Sequence, residues 1–243
     1  MAIKEGDFVK LNYTGSADGI IFDTTYEEVA KEDGSFSEGK KYEPIVIRIG
    51  GTHVIPGLDE DLTGKEIGTE YEVTISPEKA YGGRDNTLVK SVPVKEFKEK
   101  PTVGMRVSAD GRQGVVVNVI GKRAVIDFNH MLAGKTLDYK YSIEGKIEDP
   151  VEQAKAIFNL FISRDFEMEL NDGILTIMLP AGISYDQRWM MGKGMAVYQI
   201  FEFIDGIEEV VLKESFKKPE DETQEPVEEA EEEAEEEAEK SEE

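Results

Sequence analysis

Val54-Ile55-Pro56-Gly57-Leu58 and, further on, Ala80-Tyr81-Gly82 bracket the part of the chain whose reading decides the fold. Pro56 has no N–H to donate and suits the first turn of a helix. A short helix is therefore expected from Pro56, with Leu58 and Leu62 on its buried side and Gly64 and Gly68 ending it, Ile67 packing inward. On either side the period changes to two. Ile45, Ile47 and Ile49 alternate up to Gly50-Gly51, and Tyr71, Val73 and Ile75 alternate up to the Ala80-Tyr81-Gly82 segment. Further upstream Val9, Leu11 and Tyr13 alternate with polar neighbours, and Asp18-Gly19 supplies a hairpin turn before Ile20-Ile21-Phe22. Residues 24–41 are polar and punctuated by glycine, so they read as a surface loop or bulge. The resulting class is α+β: one short helix against a twisted antiparallel sheet.

The pattern breaks at Gly83. Leu88, Val89, Val92 and Phe97 are sparse hydrophobes among charges, and Pro93 and Pro101 interrupt the run. Short strands are predicted at Val103/Met105/Val107, Val115/Val117/Val119 and Ala124/Ile126/Phe128, separated by the turns Asp110-Gly111 and Gly121-Lys122. This is a small β unit with a thin core, spanning 85–128. Leu137, Tyr139, Tyr141 and Ile143 then alternate strictly and return to the first sheet as its missing strand, so 1–84 and 129–149 form one interrupted domain.

Asp149-Pro150 opens a further module, 150–216. Val151, Ala154, Phe158 and Phe161 recur at helical spacing, with Ile157 and Leu160 widening the apolar face. Met168/Leu170 and Ile174/Thr176/Met178 flank Asn171-Asp172-Gly173, a hairpin signal. Ser184 is the expected N-cap of a helix running through Trp189, Met191, Met195, Tyr198 and Phe201, and Val210-Val211-Leu212 reads as a last strand. The expected order is α-β-β-α-β. Residues 217–243 are an acidic tail expected to be disordered, because like charges repel and no face is apolar.

Composition excludes several classes. The net charge is −24, but the segment from Pro219 to Glu243 holds fifteen acidic residues and one lysine, so the rest is only moderately acidic. Nucleic acid is not an expected partner, since phosphate binding rests on Lys/Arg clusters. With no cysteine there is no disulfide, thiolate nucleophile or thiolate metal site. The apolar stretch from Gly173 to Ile183 is too short to span a membrane and contains Pro180. The N-terminus, Met1-Ala2-Ile3-Lys4-Glu5-Gly6-Asp7, has no apolar core of signal-peptide type, so the reading is cytoplasmic, with no membrane partner.

Taken with Leu11-Asn12-Tyr13-Thr14-Gly15 and Phe22-Asp23, the segments Val54–Leu58 and Ala80–Gly82 resemble the ligand pocket of FKBP-type peptidyl-prolyl cis-trans isomerases. The interruption before Asn129-His130-Met131-Leu132-Ala133-Gly134 resembles the insert-in-flap chaperone domain of the SlyD-like, archaeal long-type members. The resemblance covers roughly residues 1–147. It implies isomerisation of Xaa-Pro bonds without a nucleophile, metal or other cofactor. It assigns Tyr13 and Asp23 to a paired tyrosine and aspartate on the pocket wall. Val54 and Ile55 become cavity-lining residues whose backbone binds substrate, and Tyr81 the flap tyrosine that donates to a substrate carbonyl. Tyr139 stands where the last strand usually offers phenylalanine. Ile45 and Ile47, after Pro44, stand for two further phenylalanines, and Leu58 for the tryptophan of the floor. The pocket is thus expected to be less aromatic than in eukaryotic members.

In the insert, Met105, Val115, Val117, Ile126 and Phe128 are the expected contacts for unfolded or proline-containing polypeptides. His53 and His130 are the two histidines and are read as incidental, with no metal site. Trp189-Met190-Met191-Met195 reads first as core, with client binding or a homodimer face through 150–216 as the other roles. A non-catalytic holdase on the same scaffold is the alternative reading. A chaperone for basic proteins, resting on the acidic tail, is a third.

Overall fold

Strand β1 (Phe8–Ala17) has two different partners along one edge and a single one along the other. Its first half pairs with β3 (Ile45–Arg48), Phe8 opposite Arg48 and Leu11 opposite Ile45. Its second half pairs with β2 (Ile20–Thr24) through the Asp18-Gly19 turn, where both residues take positive φ, 55° and 78°. The opposite edge pairs throughout with β9 (Leu137–Ile147), which pairs in turn with β4 (Glu70–Ile75). All these pairings are antiparallel. The structure, a computed structural model, describes residues 2–109 and 111–216; Asp110 of the expected turn and the tail 217–243 lie outside the described residues.

Helix α2 (Pro56–Leu62) packs on this sheet as its residue pattern requires, with Leu58 and Leu62 fully buried beside Val9, Leu11, Ile47, Leu137 and Ile143. Helix and sheet are in close contact at Gly57, where a Cβ would sit 2.4 Å from Ile75 Cγ2. Two expectations fail here. Ile67 lies at the surface, 37% exposed; Ile3, hydrogen-bonded through its N–H to Lys65 O at 2.9 Å, is buried in the core at that corner instead. Residues 24–41 are not all loop, because α1 (Glu27–Asp33) forms there. It buries Ala30 alone, so it has no apolar stripe for periodicity to detect.

The insert is a four-stranded sheet in the order β5-β8-β7-β6, where β5 is Val89–Pro93, β6 Arg106–Ala109, β7 Arg112–Ile120 and β8 Arg123–Asp127. β5 was not expected, but Pro93 sits at its last position on a sheet edge, where a missing N–H is tolerated. Its fully buried side chains are Val116, Ala124 and Ile126. Val116 pairs with Ile126 and Asn118 with Val125, leaving Val117 as a bulge. A bulge reverses strand parity. Val115 and Val117 are consequently exposed, whereas Val119 packs inward.

In the third unit α3 (Pro150–Ile162) and α4 (Gln187–Phe203) pack on a sheet in which β10 (Glu167–Asn171) and β12 (Glu209–Glu214) flank β11 (Ile174–Leu179). β10 runs antiparallel and β12 parallel to β11. Phe158, Phe166 and Trp189 form an aromatic cluster with centroids 5.7–6.2 Å apart. The N-cap of α4 is Asp186, whose carboxylate accepts the Trp189 N–H at 3.1 Å. Ser184, expected to cap this helix, lies in the preceding 3₁₀ turn and donates to Glu214 Oε2 at 3.2 Å. Gly192 is tolerated in mid-helix because α3 is so close: a Cβ there would lie 3.0 Å from Phe161 O. Phe8, Val46 and Ile147 of the first sheet enter this module's core, so the two units share packing. Among the described residues, no helix is long and apolar enough to cross a membrane.

With so few buried side chains, the insert should unfold on its own. Ile126→Ala is expected to remove about 2–4 kcal/mol, enough to strip hydrogen-exchange protection from residues 89–127 while β1 and β9 keep theirs. Loss of protection spread evenly over all three sheets would contradict this.

Candidate functional site

Between the two partners of β1, near Tyr13, the sheet edge opens. Tyr13 N–H donates to Thr25 Oγ1 at 2.9 Å and Thr25 N–H to Tyr13 O at 3.0 Å, which closes the backbone there. The Tyr13 side chain projects into a cavity of about 500 Å³ lined also by Phe22, Asp23, Ile45, His53, Val54, Ile55, Leu58, Tyr81, Tyr139 and residues 130–132. Tyr13, Asp23, Val54, Ile55, Tyr81 and Tyr139, the residues singled out for catalysis, thus share one cavity with Ile45 and Leu58. Ile47 does not join them. It faces the same side of β3 as Ile45 but one pleat further along, where it is fully buried in the core.

Phe22 and Asp23 are consecutive, yet both line the cavity. Gly15 pairs with Asp23 and Ser16 with Ile21, so Phe22 is the extra residue of a bulge. Gly15 makes room for it, since a Cβ there would lie 2.6 Å from Phe22 Cζ. The Phe22 ring meets Tyr139 edge-on at 5.9 Å, and Tyr13 lies 5.8 Å from Tyr139.

Asp23 is held at both oxygens. Tyr13 Oη donates to Oδ2 at 2.5 Å, and Lys40 Nζ bonds Oδ1 at 2.5 Å while also donating to Thr24 O at 3.0 Å. A carboxylate so engaged fixes the pocket wall and is not free to act as a base. Burial, and then the Asp23 charge, pushes the Tyr13 hydroxyl far above the ordinary tyrosine range. Burial also raises Tyr139 far above it, and Tyr81 less so. The cavity therefore carries neutral hydroxyl donors and apolar surface.

The Val54–Ile55 segment is fixed from both ends. Asp59 accepts the Gly50 N–H at 2.9 Å, tying the preceding turn to α2, and Ile55 O accepts from Leu58 N–H at 3.0 Å. His53 Nδ1 accepts the Arg48 N–H at 3.0 Å, so the ring proton sits on Nε2 and is donated to Gln199 Oε1 of α4 at 2.9 Å. Burial lowers the His53 pKa and the Gln199 bond only partly opposes this, which keeps the ring neutral.

The rim is formed by the stem of the insert. Tyr81 stacks on His130 at 4.1 Å with planes 10° apart. Gly134 N–H donates to Gly82 O at 2.8 Å, Asp85 N–H donates to Asn129 Oδ1 at 2.8 Å, and Arg84 pairs with Asp127. The remaining residues proposed to hold clients lie in the insert, away from this cavity. Val115 and Val117 are exposed, and Met105 and Phe128 are half-buried against the insert core. Ile126 is 2% exposed and cannot meet a client, because β8 turns Ala124 and Ile126 to the same inner face. Val103 and Ile120, at 66% and 64%, are the more exposed apolar side chains there.

Residues 1–97 match the family described as FKBP-type peptidyl-prolyl cis-trans isomerase, 90–132 the family FKBP26, IF domain, and 150–217 the family FKBP26_C-terminal. The chain is 40% identical over 153 residues, 62% of its length, to the short-type peptidyl-prolyl cis-trans isomerase of Methanocaldococcus jannaschii, 96% of which is covered. It is 29% identical over 140 residues to the FKBP-type isomerase SlyD of Haemophilus influenzae, covering 55% of this chain and 74% of that one. It is 34% identical over 135 residues to SlyD of Escherichia coli, covering 53% and 67%.

Tyr13, Tyr139 and Tyr141, the last donating to Asp61 Oδ2 at 2.5 Å, all have folded-state pKa values raised above the ordinary value of 10. Their contribution to stability is full below that value and is lost as pH rises past it. In an alkaline titration followed by tyrosinate absorbance, these three of the nine tyrosines should ionise only with cooperative unfolding. Their smooth ionisation in a chain that keeps its far-UV dichroism would refute the assignment.

Proposed function

Because the chain belongs to the FKBP-type peptidyl-prolyl cis-trans isomerases, we propose that the cavity around Tyr13, Asp23 and Tyr139 is its active site and works by desolvation and orientation. An Xaa-Pro bond resists rotation by about 20 kcal/mol because of amide resonance. In the twisted transition state that resonance is lost and the imide is less dipolar, so an apolar enclosure favours it over the planar ground state. In this reading the proline ring rests on Leu58 and Tyr139 with Phe22 and Ile45 at its sides. Tyr81 donates to a substrate carbonyl, and the Val54–Ile55 backbone binds the flanking chain. The observation that carries the reading is the convergence of these side chains, drawn from five separate elements and the flap, on one cavity.

The insert is proposed to recruit unfolded chains. Its thin core leaves Val103, Val115, Val117 and Ile120 in water, and its stem is bonded within a few residues of Tyr81, which places a captured chain near the pocket and raises its local concentration there. Dimerisation through 150–216 is a further proposal. Met190, Met191, Tyr198 and Phe201 are all exposed along α4, and a second copy covering them would bury that stripe. The cysteine-free chain is compatible with a cytoplasmic site of action.

Wild-type protein should accelerate isomerisation of a short Xaa-Pro peptide. Folded Tyr81→Phe is expected to lower kcat/KM about 3–10-fold, the worth of one hydrogen bond, and Asp23→Ala by about tenfold or more. Absence of acceleration by wild type, with suppression of aggregation intact, would instead establish a holdase. Deleting residues 88–127 should reduce catalysed refolding of a proline-limited protein far more than turnover of the peptide. Equal losses in the two assays would overturn the division of labour. Sedimentation over a range of concentrations, with Phe201→Glu as comparison, tests the dimer.

A further inference from the structure

A second crevice, of about 330 Å³, opens between α3, α4 and the loop that leads into Val54–Ile55. Its walls are Leu160, Phe161 and Met195, and its polar side is Thr52, His53 and Gln199. His53 lines both this crevice and the proline pocket, so the two cavities meet across one imidazole ring.

Most polar atoms of the crevice are already engaged within the fold. His53 is bonded at both nitrogens, to Arg48 N–H and to Gln199 Oε1. Thr52 Oγ1 donates to Gly51 O at 2.7 Å. Arg48 lies over the Phe203 ring at 4.2 Å, and Phe203 meets His53 edge-on at 6.0 Å, so this side of the crevice is braced from behind. Beside the Gln199 amide nitrogen, what remains available is apolar surface: Met195 is half exposed, and Leu160 and Phe161 are partly so. The space suits one large apolar side chain and is too small to seat a helix of a second copy.

We infer that this crevice is a subsite for an apolar side chain of the same polypeptide whose proline occupies the pocket, several residues away along the chain. The C-terminal module thereby takes part in substrate selection. The inference rests on the proline-pocket reading above. The occupant is a client chain because the crevice adjoins that pocket, the two sharing His53 as a wall. Methionine and leucine walls adapt to varied side chains, so the subsite would favour a large apolar residue at a given register without fixing its identity. His53 sets the register, since it separates the two cavities and is locked in place.

The test is a register scan. Labelled Ala/Ser peptides with one central proline carry a single phenylalanine at each successive position on either side, and binding to the full chain is followed by anisotropy, with isomerisation followed in parallel by NMR exchange. One register should bind about tenfold more tightly than the peptide without phenylalanine. In Met195→Glu that advantage should fall below about twofold, and in Met195→Leu it should persist, as hydrophobic packing alone requires. Met195 is on the surface, so folding of both variants is expected and is checked by dichroism. A flat scan, or an advantage that Met195→Glu leaves intact, overturns the inference. If wild type binds the peptides but turns none over, the isomerase reading fails, and the register dependence still decides the subsite.

Discussion

The constraint on which the structure depends is that β9 must lie between β1 and β4. Ten residue pairs join it to β1 and six to β4, so without it the sheet would be cut in two and α2 would lose the surface on which Leu58 and Leu62 are buried. The chain reaches β9 only after making the insert. The two stem segments must therefore come back together at Gly82 and Gly134, and the hydrogen bond between those residues marks that closure. Tyr81, one residue before Gly82, and His130, four before Gly134, stack beside it. The flap over the cavity is thus a consequence of finishing the sheet. An insert of this length is accommodated at modest entropic cost, because loop-closure entropy rises slowly with length.

The chemistry of the cavity follows from the same geometry. Three tyrosines face it, and burial holds their hydroxyls neutral. The single carboxylate in the wall is saturated by Tyr13 and Lys40. A site built to move protons would leave a titratable group free near neutral pH; of the two histidines that border the cavity, His53 is locked as a neutral tautomer, and His130 is stacked on Tyr81 and accepts the Leu132 N–H through Nδ1 at 3.3 Å. Such an arrangement suits a reaction in which a bond rotates and no proton is transferred.

The sequence revealed the parts of this arrangement that depend on local pattern. Alternation located β1, β3, β4 and β9, Pro56 located α2, and Asp149-Pro150 located α3. A parity error arose at the Val117 bulge. Phe22 in β2 and Val117 in β7 are extra residues opposite a single partner, and nothing in a period-two pattern announces an insertion of one. Helix α1 went unread because only Ala30 is buried, and β5 because Lys90, Ser91 and Pro93 resemble a loop. The remaining site residues are matters of distant contact. Lys40 reaches Asp23 from a segment read as surface loop, and His130 meets Tyr81 across the whole insert. The histidines were read as incidental, whereas His130 stacks on Tyr81 and His53 bridges two modules by hydrogen bonds, contacts that leave no spacing signature.

Strand β3 shows why the C-terminal module cannot be treated as an independent appendage. Its side chains alternate between two cores: Ile47 belongs to the core under α2, and Val46 to that of α3 and α4. Arg48 continues the outward series by lying against Phe203. A strand buried on both faces has little freedom to shift toward either side. The loop that leaves it, Gly50 to Ile55, inherits that rigidity, with Asp59 holding one end and Gln199 the other through His53. The backbone that borders the cavity is consequently positioned by two modules at once. Any displacement of α4 must either break the His53–Gln199 bond or carry Val54 with it. His53 thus stands at the border of both the cavity and the crevice beside α4, on a short loop that both modules hold.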